Sequence, residues 1–256
     1  MNSQNAPTIA IIGSGRVASA LASHFKKYGI KITGIHSRNL KTGTILAQDI
    51  GTIYLENSSE LKADILLVSV NDDETCGVIE KIPKDQAVIY TAGSVDLKSL
   101  QHKNCGVFYP LQTFGLPGDT EPKDFPVLLE SENHNLLKDM VSICETCQLK
   151  HTSCTSEKRK EYHLVAVMLN NFVNHIVHLS QEQSEKRGLD WRLLNPLLKK
   201  TFDLLKDQKA KTLQTGPARR NDKSILQKHE TMLNGKEQEL YHLLSKSIIN
   251  TYKDEL

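Results

Sequence analysis

The chain has 256 residues, 39% of them hydrophobic, with 32 basic and 30 acidic side chains and a formal net charge of +2. That balance removes the electrostatic argument for nucleic acid or an anionic membrane as a partner. No window reaches the ~18 uninterrupted apolar residues of a membrane-spanning helix, and the length allows one large domain or two modest ones.

The opening Met1 to Pro7 is polar and runs straight into an apolar stretch, unlike a signal peptide. A cytoplasmic protein is expected. Five cysteines, Cys76, Cys105, Cys144, Cys147 and Cys154, then read as reduced thiols. Cys144 and Cys147 are spaced as C-x-x-C but lack the second pair that zinc would need, so buried small side chains are favoured over a redox or metal role. The terminal Lys253-Asp254-Glu255-Leu256 spells a retention signal, which matters only inside the secretory pathway; here it reads as the polar end of a helix.

Thr8 to Ile12 is a short apolar, β-branched run, the mark of a strand buried on both faces. It breaks into Gly13-Ser14-Gly15, after which Val17, Ala18, Leu21 and Phe25 recur at helical spacing. Strand, glycine turn and helix are the context in which G-x-G-x-x-A reads as a dinucleotide turn. Gly13 permits the tight turn, Gly15 lets backbone approach a pyrophosphate, and Ala18 lets the helix sit close to the strand. Gly13, Ser14, Gly15, Arg16 and Val17 are thus candidate cofactor contacts, with the phosphates at the helix N-terminus.

Lys31 to Arg38 reads as the second strand and its exit. An NAD-binding unit places an acid there to hold the ribose hydroxyl. This chain has Ser37 and Arg38, which suit a 2′-phosphate, so NADP is favoured over NAD; the alternative is that Arg38 is a solvated loop residue. A helix around Thr42 to Asp49 and a short segment near Ile53 to Leu55 follow. Asp64 to Val70 is the next buried strand, followed by Asn71, which either touches the cofactor or leaves the loop to plain helix capping by Asn71 or Asp72. Gln86 to Ser94 is a strand opening into Thr91, Ala92 and Gly93, small enough to admit a nicotinamide ring; Val70, Asn71 and these three complete the cofactor candidates. Gly106 to Gly115, a Pro/Gly/Asp loop to Asp124, a strand over Phe125 to Glu130 and a helix over Asn135 to Cys147 come next. The alternation predicts a doubly wound, mostly parallel sheet.

Beyond Thr155 only helical periodicity remains, over 156–183, 189–208 and 222–252. Lys158-Arg159-Lys160 reads as a solvated helix start. Tyr162 to Leu179 is apolar nearly all round, which predicts a buried helix. It nevertheless carries His163, Asn170, Asn171, Asn174 and His178, which at about 100° per residue fall in one sector. Such a stripe either binds a polar substrate or a carboxamide, with His163 as proton carrier and Asn170 and Asn174 orienting, or fixes register in a helical dimer core. Thr215 to Asp222 reads first as a loop before a helix; in it Arg219 or Arg220 either pairs with Asp222 or is free to clamp a substrate carboxylate, Arg219 being the candidate contact, and Asp222 also suits a helix cap.

Gly13 to Ala18, Tyr109-Pro110-Leu111-Gln112-Thr113-Phe114, Tyr162-His163 with Asn170-Asn171-Phe172, and Thr215-Gly216-Pro217 with Arg219 and Asp222 occur together in one bacterial family. Over nearly its whole length the chain resembles these Rossmann-like proteins with a C-terminal helical domain of unknown function, whose members are labelled NADP oxidoreductases, some by a deazaflavin-coenzyme name. The wider 6-phosphogluconate dehydrogenase-like superfamily includes pyrroline-carboxylate reductase, prephenate dehydrogenase and β-hydroxyacid dehydrogenases. The resemblance implies NADP binding by the first domain, a homodimer through the second and a substrate cleft between them. Two departures matter. The helix lysine of β-hydroxyacid dehydrogenases is replaced here, where Ala166 and Val167 stand. Tyr109 occupies a place where many relatives have histidine.

The reading is α/β. Residues 1–154 form an NADP-binding Rossmann domain and 155–256 a smaller all-helical domain for substrate and dimerisation. The expected function is hydride transfer between NADP and a small polar carbonyl, imino or hydroxy compound, with Tyr109, Gln112 and Arg219 as weaker substrate contacts and no metal. The alternative is an NADP-binding sensor without turnover.

Overall fold

The computed structural model describes residues 6–115 and 124–255, and parts the chain into two compact units, Met1–Leu169 and Asn170–Leu256. Most of the expected Pro/Gly/Asp loop, at 116–123, lies outside the described residues, as do residues 1–5 and 256.

In the first unit strands and helices alternate as expected. β1 (Ile9–Ile12) leads into α1 (Arg16–Lys27), β2 (Ile32–His36) into α2 (Leu40–Ile50), and β3 (Ile65–Val68) into α3 (Asp72–Ile79). β4 (Ala87–Tyr90), β5 (Cys105–Pro110), β6 (Val127–Ser131), α4 (His134–Thr146) and β7 (His151–Ser153) follow. The sheet runs β2-β1-β3-β4-β5-β6-β7. Its first five strands are parallel, β6 lies antiparallel to β5, and β7 is parallel to β6. The chain order reverses beside β1, and in such sheets ligands bind outside the carboxyl ends of the strands at that point.

Side-chain alternation splits the core into two layers. Ile9 and Ile11 pack with Leu21 and Phe25 of α1 and Met140 of α4 on one face. Ala10 and Ile12 join Val68, Tyr90 and Ile79 of α3 on the other. Each fully buried Leu, Ile or Phe contributes about 1.5–3 kcal/mol over its exposed state, so the β1 to β5 platform holds the strand ends firmly.

The cysteines fit the apolar reading. All five are free, and Cys105, Cys144, Cys147 and Cys154 are buried. Burial pushes the Cys105 and Cys147 thiols up to about 12 and raises those of Cys144 and Cys154 as well, which disfavours the reactive thiolate. Among the described residues no group of His, Cys, Asp and Glu is placed to hold a metal ion, and no helix is long and apolar enough to cross a membrane.

Three sequence expectations are corrected. Arg159 is not solvated: it is 0% exposed. The helix over Tyr162 to Leu179 is neither regular nor buried. α5 (Ser156–Ala166) passes through a π-helical segment, Val167–Phe172, into α6 (Val173–Lys186). The wider i→i+5 turn shifts every later residue around the axis, so the hundred-degree count that aligned His163 with Asn174 and His178 does not hold across it. Leu164, Met168, Leu169 and Phe172 are exposed, Leu169 at 71%. Apolar composition states a preference for burial without supplying the cover. In the second unit, α7 (Asn195–Asp207), α8 (Ala210–Leu213), α9 (Lys223–Thr231) and α10 (Gly235–Tyr252) replace the two longer helices expected. The break between α9 and α10 falls at Asn234-Gly235, a pair that favours turns.

Candidate cofactor and active site

The β1–α1 turn is built around an obligatory glycine. Gly13 has φ +125°, and a Cβ on it would lie 2.0 Å from the Ser69 carbonyl oxygen at the end of β3. Its N–H donates to the His36 carbonyl at the end of β2, 2.8 Å away. The turn is therefore wedged between both neighbouring strands. Gly15 is the N-cap of α1 and has no side-chain capping bond, and a Cβ there would meet no atom within 4 Å. Open space above uncapped N–H groups is what a phosphate requires. Ala18 is fully buried and brings α1 down onto the sheet. These features fit a dinucleotide pyrophosphate.

At the exit of β2, three hydroxyls converge. Ser14 Oγ is 2.7 Å from Ser37 Oγ and 2.6 Å from Thr42 Oγ1. Asn39 caps α2, accepting from the Thr42 N–H at 3.1 Å, which fixes Thr42 in the first turn. Arg38 is exposed and its guanidinium donates to the Glu74 carboxylate of α3. Asn71 stands at the N-cap of α3 with no side-chain capping bond, so its side chain does not take the capping alternative.

The ends of β4 and β5 carry the second half of the site. Thr91 Oγ1 donates to Ser69 Oγ at 3.1 Å, and Asp72 accepts from the N–H of Ser94 at 3.0 Å and from its hydroxyl. Tyr109 Oη lies 3.0 Å from His163 Nδ1, with the two rings edge to face. A Cβ on Gly93 would lie 3.0 Å from His163 Nδ1 and 3.0 Å from Tyr109 Cε2, so Gly93 gives the pair its room. Burial raises the Tyr109 phenol above its ordinary value, with the Asp72 charge adding to the effect. A phenol held neutral can donate to Nδ1; in the tautomer that accepts this bond the imidazole proton sits on Nε2, where it can be given to, or taken from, a bound molecule.

Beneath this pair lies a network that sequence reading missed. Arg159, one turn before His163 on α5, donates from Nε to the Gly93 carbonyl at 3.3 Å, from Nη2 to the Val95 carbonyl and to Ser156 Oγ at 3.2 Å, and from Nη1 to Glu130. Glu130 also accepts from the Ser156 N–H at 2.8 Å and hydroxyl at 2.7 Å.

Val70 packs against the core, and Gln112 Oε1 accepts from the Thr113 N–H at 2.9 Å. Asn170 and Asn174 are exposed, in the π segment and α6. Arg219, in the second unit, pairs with Glu255 at 2.9 Å and lies over the Tyr252 ring at 4.4 Å. Asp222 caps α9, accepting from the Ile225 N–H at 3.3 Å.

Residues 8–93 match the family described as NADP oxidoreductase, coenzyme F420-dependent, and residues 125–248 match the domain of unknown function DUF2520. A solved Bacteroides fragilis protein, named as an NADP oxidoreductase, is 30% identical over 95% of this chain and 98% of its own, at a TM-score of 0.86. The chain belongs to this family of NADP oxidoreductases. The family's fold extends to an imine reductase of Myxococcus stipitatus solved with NADP+, 14% identical over 97% of this chain and 93% of that one, at a TM-score of 0.62. A variant of that reductase is solved with NAD+. A curated relative, a shikimate dehydrogenase-like protein of Haemophilus influenzae, is 38% identical over 59 residues, which are 23% of this chain and 22% of that protein.

Proposed function

We propose that this family member is a cytoplasmic, NADP-dependent oxidoreductase acting on a small polar carbonyl, imino or hydroxy compound. The observation that carries the reading is the Tyr109–His163 hydrogen bond beside Gly93, at the carboxyl ends of β4 and β5 in a sheet whose first turn suits a dinucleotide. Gly13 to Val17 would hold the pyrophosphate, and Val70, Asn71, Thr91, Ala92 and Gly93 the nicotinamide side. When bound, the nicotinamide supplies or accepts the hydride. The protein's part is the proton: His163 Nε2 gives it to, or takes it from, the reacting oxygen or nitrogen, while Tyr109 fixes the tautomer.

Preference for NADP rests on the absence of an acid at the end of β2 and on the Ser14, Ser37 and Thr42 hydroxyls beside Arg38. A charge-assisted hydrogen bond contributes about 1.5–3 kcal/mol. Arg38→Ala is therefore expected to weaken NADPH binding about 10- to 100-fold and NADH binding by no more than about twofold, read by titration calorimetry. Equal losses for both cofactors would sink the 2′-phosphate assignment.

The same reading includes a homodimer. What supports it is the exposed apolar surface of Leu164, Val165, Met168 and Leu169, and an apolar groove of about 370 Å³ in the second unit, lined by Ile176, Leu233, Leu240 and Leu244 among others. Large exposed apolar patches are rare on monomers. Sedimentation equilibrium should return twice the chain mass of 28.7 kDa; a single-chain mass at tens of micromolar would rule the dimer out.

A further inference from the structure

We infer that Arg159 is a positioning residue for the Tyr109–His163 pair, holding Gly93 on one side of it and the helix that carries His163 on the other. The inference rests on the proposed proton role of His163. Arg159 and His163 are four residues apart on α5, so they share a helix face. The guanidinium is fully buried and its bonds go to three separate elements: the Gly93 and Val95 carbonyls after β4, Glu130 on β6, and Ser156 in the first turn of α5. Ser156 Oγ in turn accepts from the Leu97 N–H at 3.0 Å.

Stability alone is a poor reason for such a cluster. Desolvating two charges costs about as much as their attraction returns, and well-packed apolar residues serve equally well. What a planar, forked donor adds is direction: it fixes several acceptors at once, which a lysine ammonium on a flexible stem does not. The acceptor that matters is the Gly93 carbonyl. A Cβ on Gly93 would lie 3.0 Å from each member of the pair, so the backbone runs close beside both, and a shift of a few tenths of an ångström in it or in α5 alters the Tyr109 to His163 distance.

The test uses the full chain with ¹⁵N-labelled histidine. In the wild type the neutral His163 ring should be almost wholly the Nε2–H tautomer, and in Tyr109→Phe a mixture. Arg159→Lys keeps a positive charge opposite Glu130 but cannot reach Gly93, Val95 and Ser156 together; it should fold and show the Tyr109→Phe mixture. A purely structural arginine would lower the melting temperature and leave the tautomer pure, and a folded Arg159→Lys of that kind overturns the inference. Should Arg159→Lys not fold, Ser156→Ala removes one anchor of the guanidinium and decides in the same way, mixing supporting and purity overturning. A wild-type ring that is already mixed removes the pair, and with it both this role and the proton donor proposed above. Turnover that survives loss of the His163 imidazole would instead sink the proposed proton role of His163 while the tautomer result stood.

Discussion

Gly13→Ala is expected to abolish measurable NADPH binding and to lower the melting temperature by roughly 10 °C. The added Cβ would lie 2.0 Å from the Ser69 carbonyl oxygen and 2.8 Å from its carbon, and both are backbone. No side-chain rotation relieves that overlap. The backbone cannot slide away either, because the Gly13 N–H is bonded to the His36 carbonyl and the Ser69 N–H to the Ile12 carbonyl, each at 2.8 Å. Overpacking of this kind costs about 1–3 kcal/mol, and forcing alanine into a glycine-only conformation adds about 1–3 kcal/mol more. In a domain of this size each kilocalorie moves the midpoint by about 2–4 °C. Gly15→Ala separates stability from binding. Gly15 has φ −76° and open space at its Cβ, so this variant should keep the wild-type melting temperature within about 2 °C. Its methyl group would occupy the space left for a pyrophosphate, and NADPH affinity should fall at least about tenfold, or 1.4 kcal/mol. Calorimetry and thermal denaturation read both. Wild-type NADPH affinity in a folded Gly13→Ala would exclude this turn as the cofactor cradle.

What could be read in the sequence was what is local. The run Ile9–Ile12, the glycines after it and the apolar spacing of α1 lie within about twenty residues, and each implies the next through backbone geometry alone. β7 left no such trace: His151-Thr152-Ser153 is short, polar and exposed, and it joins the sheet through backbone bonds to β6 that no side-chain pattern announces. Arg159 was missed for the opposite reason. Inside Lys158-Arg159-Lys160 it looks like solvated charge, and its partner Glu130 is 29 residues away. One signal was present: three consecutive helical residues span about 200° of arc, so one face of the triplet must turn toward the protein, and Arg159 is the member that shares a face with His163. His163 was singled out from a polar stripe that the π segment Val167–Phe172 interrupts, and what places it in the site is a hydrogen bond to Tyr109, 54 residues earlier in the chain. A single extra residue per turn cannot be read from periodicity that assumes 3.6.

His163→Ala should lower turnover about 10²- to 10⁴-fold, the range for loss of a general acid or base, while NADPH affinity stays within about threefold of wild type. The split is expected because the imidazole bonds Tyr109 and lies close to Gly93 at the ends of β5 and β4, whereas the features that fit the pyrophosphate lie at the β1–α1 turn. Tyr109→Phe keeps the imidazole but frees its tautomer, so its loss should be smaller, about tenfold. The pH dependence separates the two roles. Burial raises the Tyr109 phenol above its ordinary value of 10.0, so it remains neutral, and a donor, at every lower pH. An alkaline limb that lies below pH 10 in the wild type should therefore persist in Tyr109→Phe; if that substitution removed the limb, the phenol would be the titrating group and the roles would be reversed. The assay is NADPH oxidation against a panel of small carbonyl and imino acids, with NADP+ reduction against hydroxy acids. His163→Ala that folds, binds NADPH and turns over within about threefold of wild type excludes the imidazole as proton carrier. A wild-type protein that binds NADPH tightly and turns over none of the panel would favour the sensor reading, in which the Tyr109–His163 pair sets the shape of the cofactor-bound state rather than moving a proton.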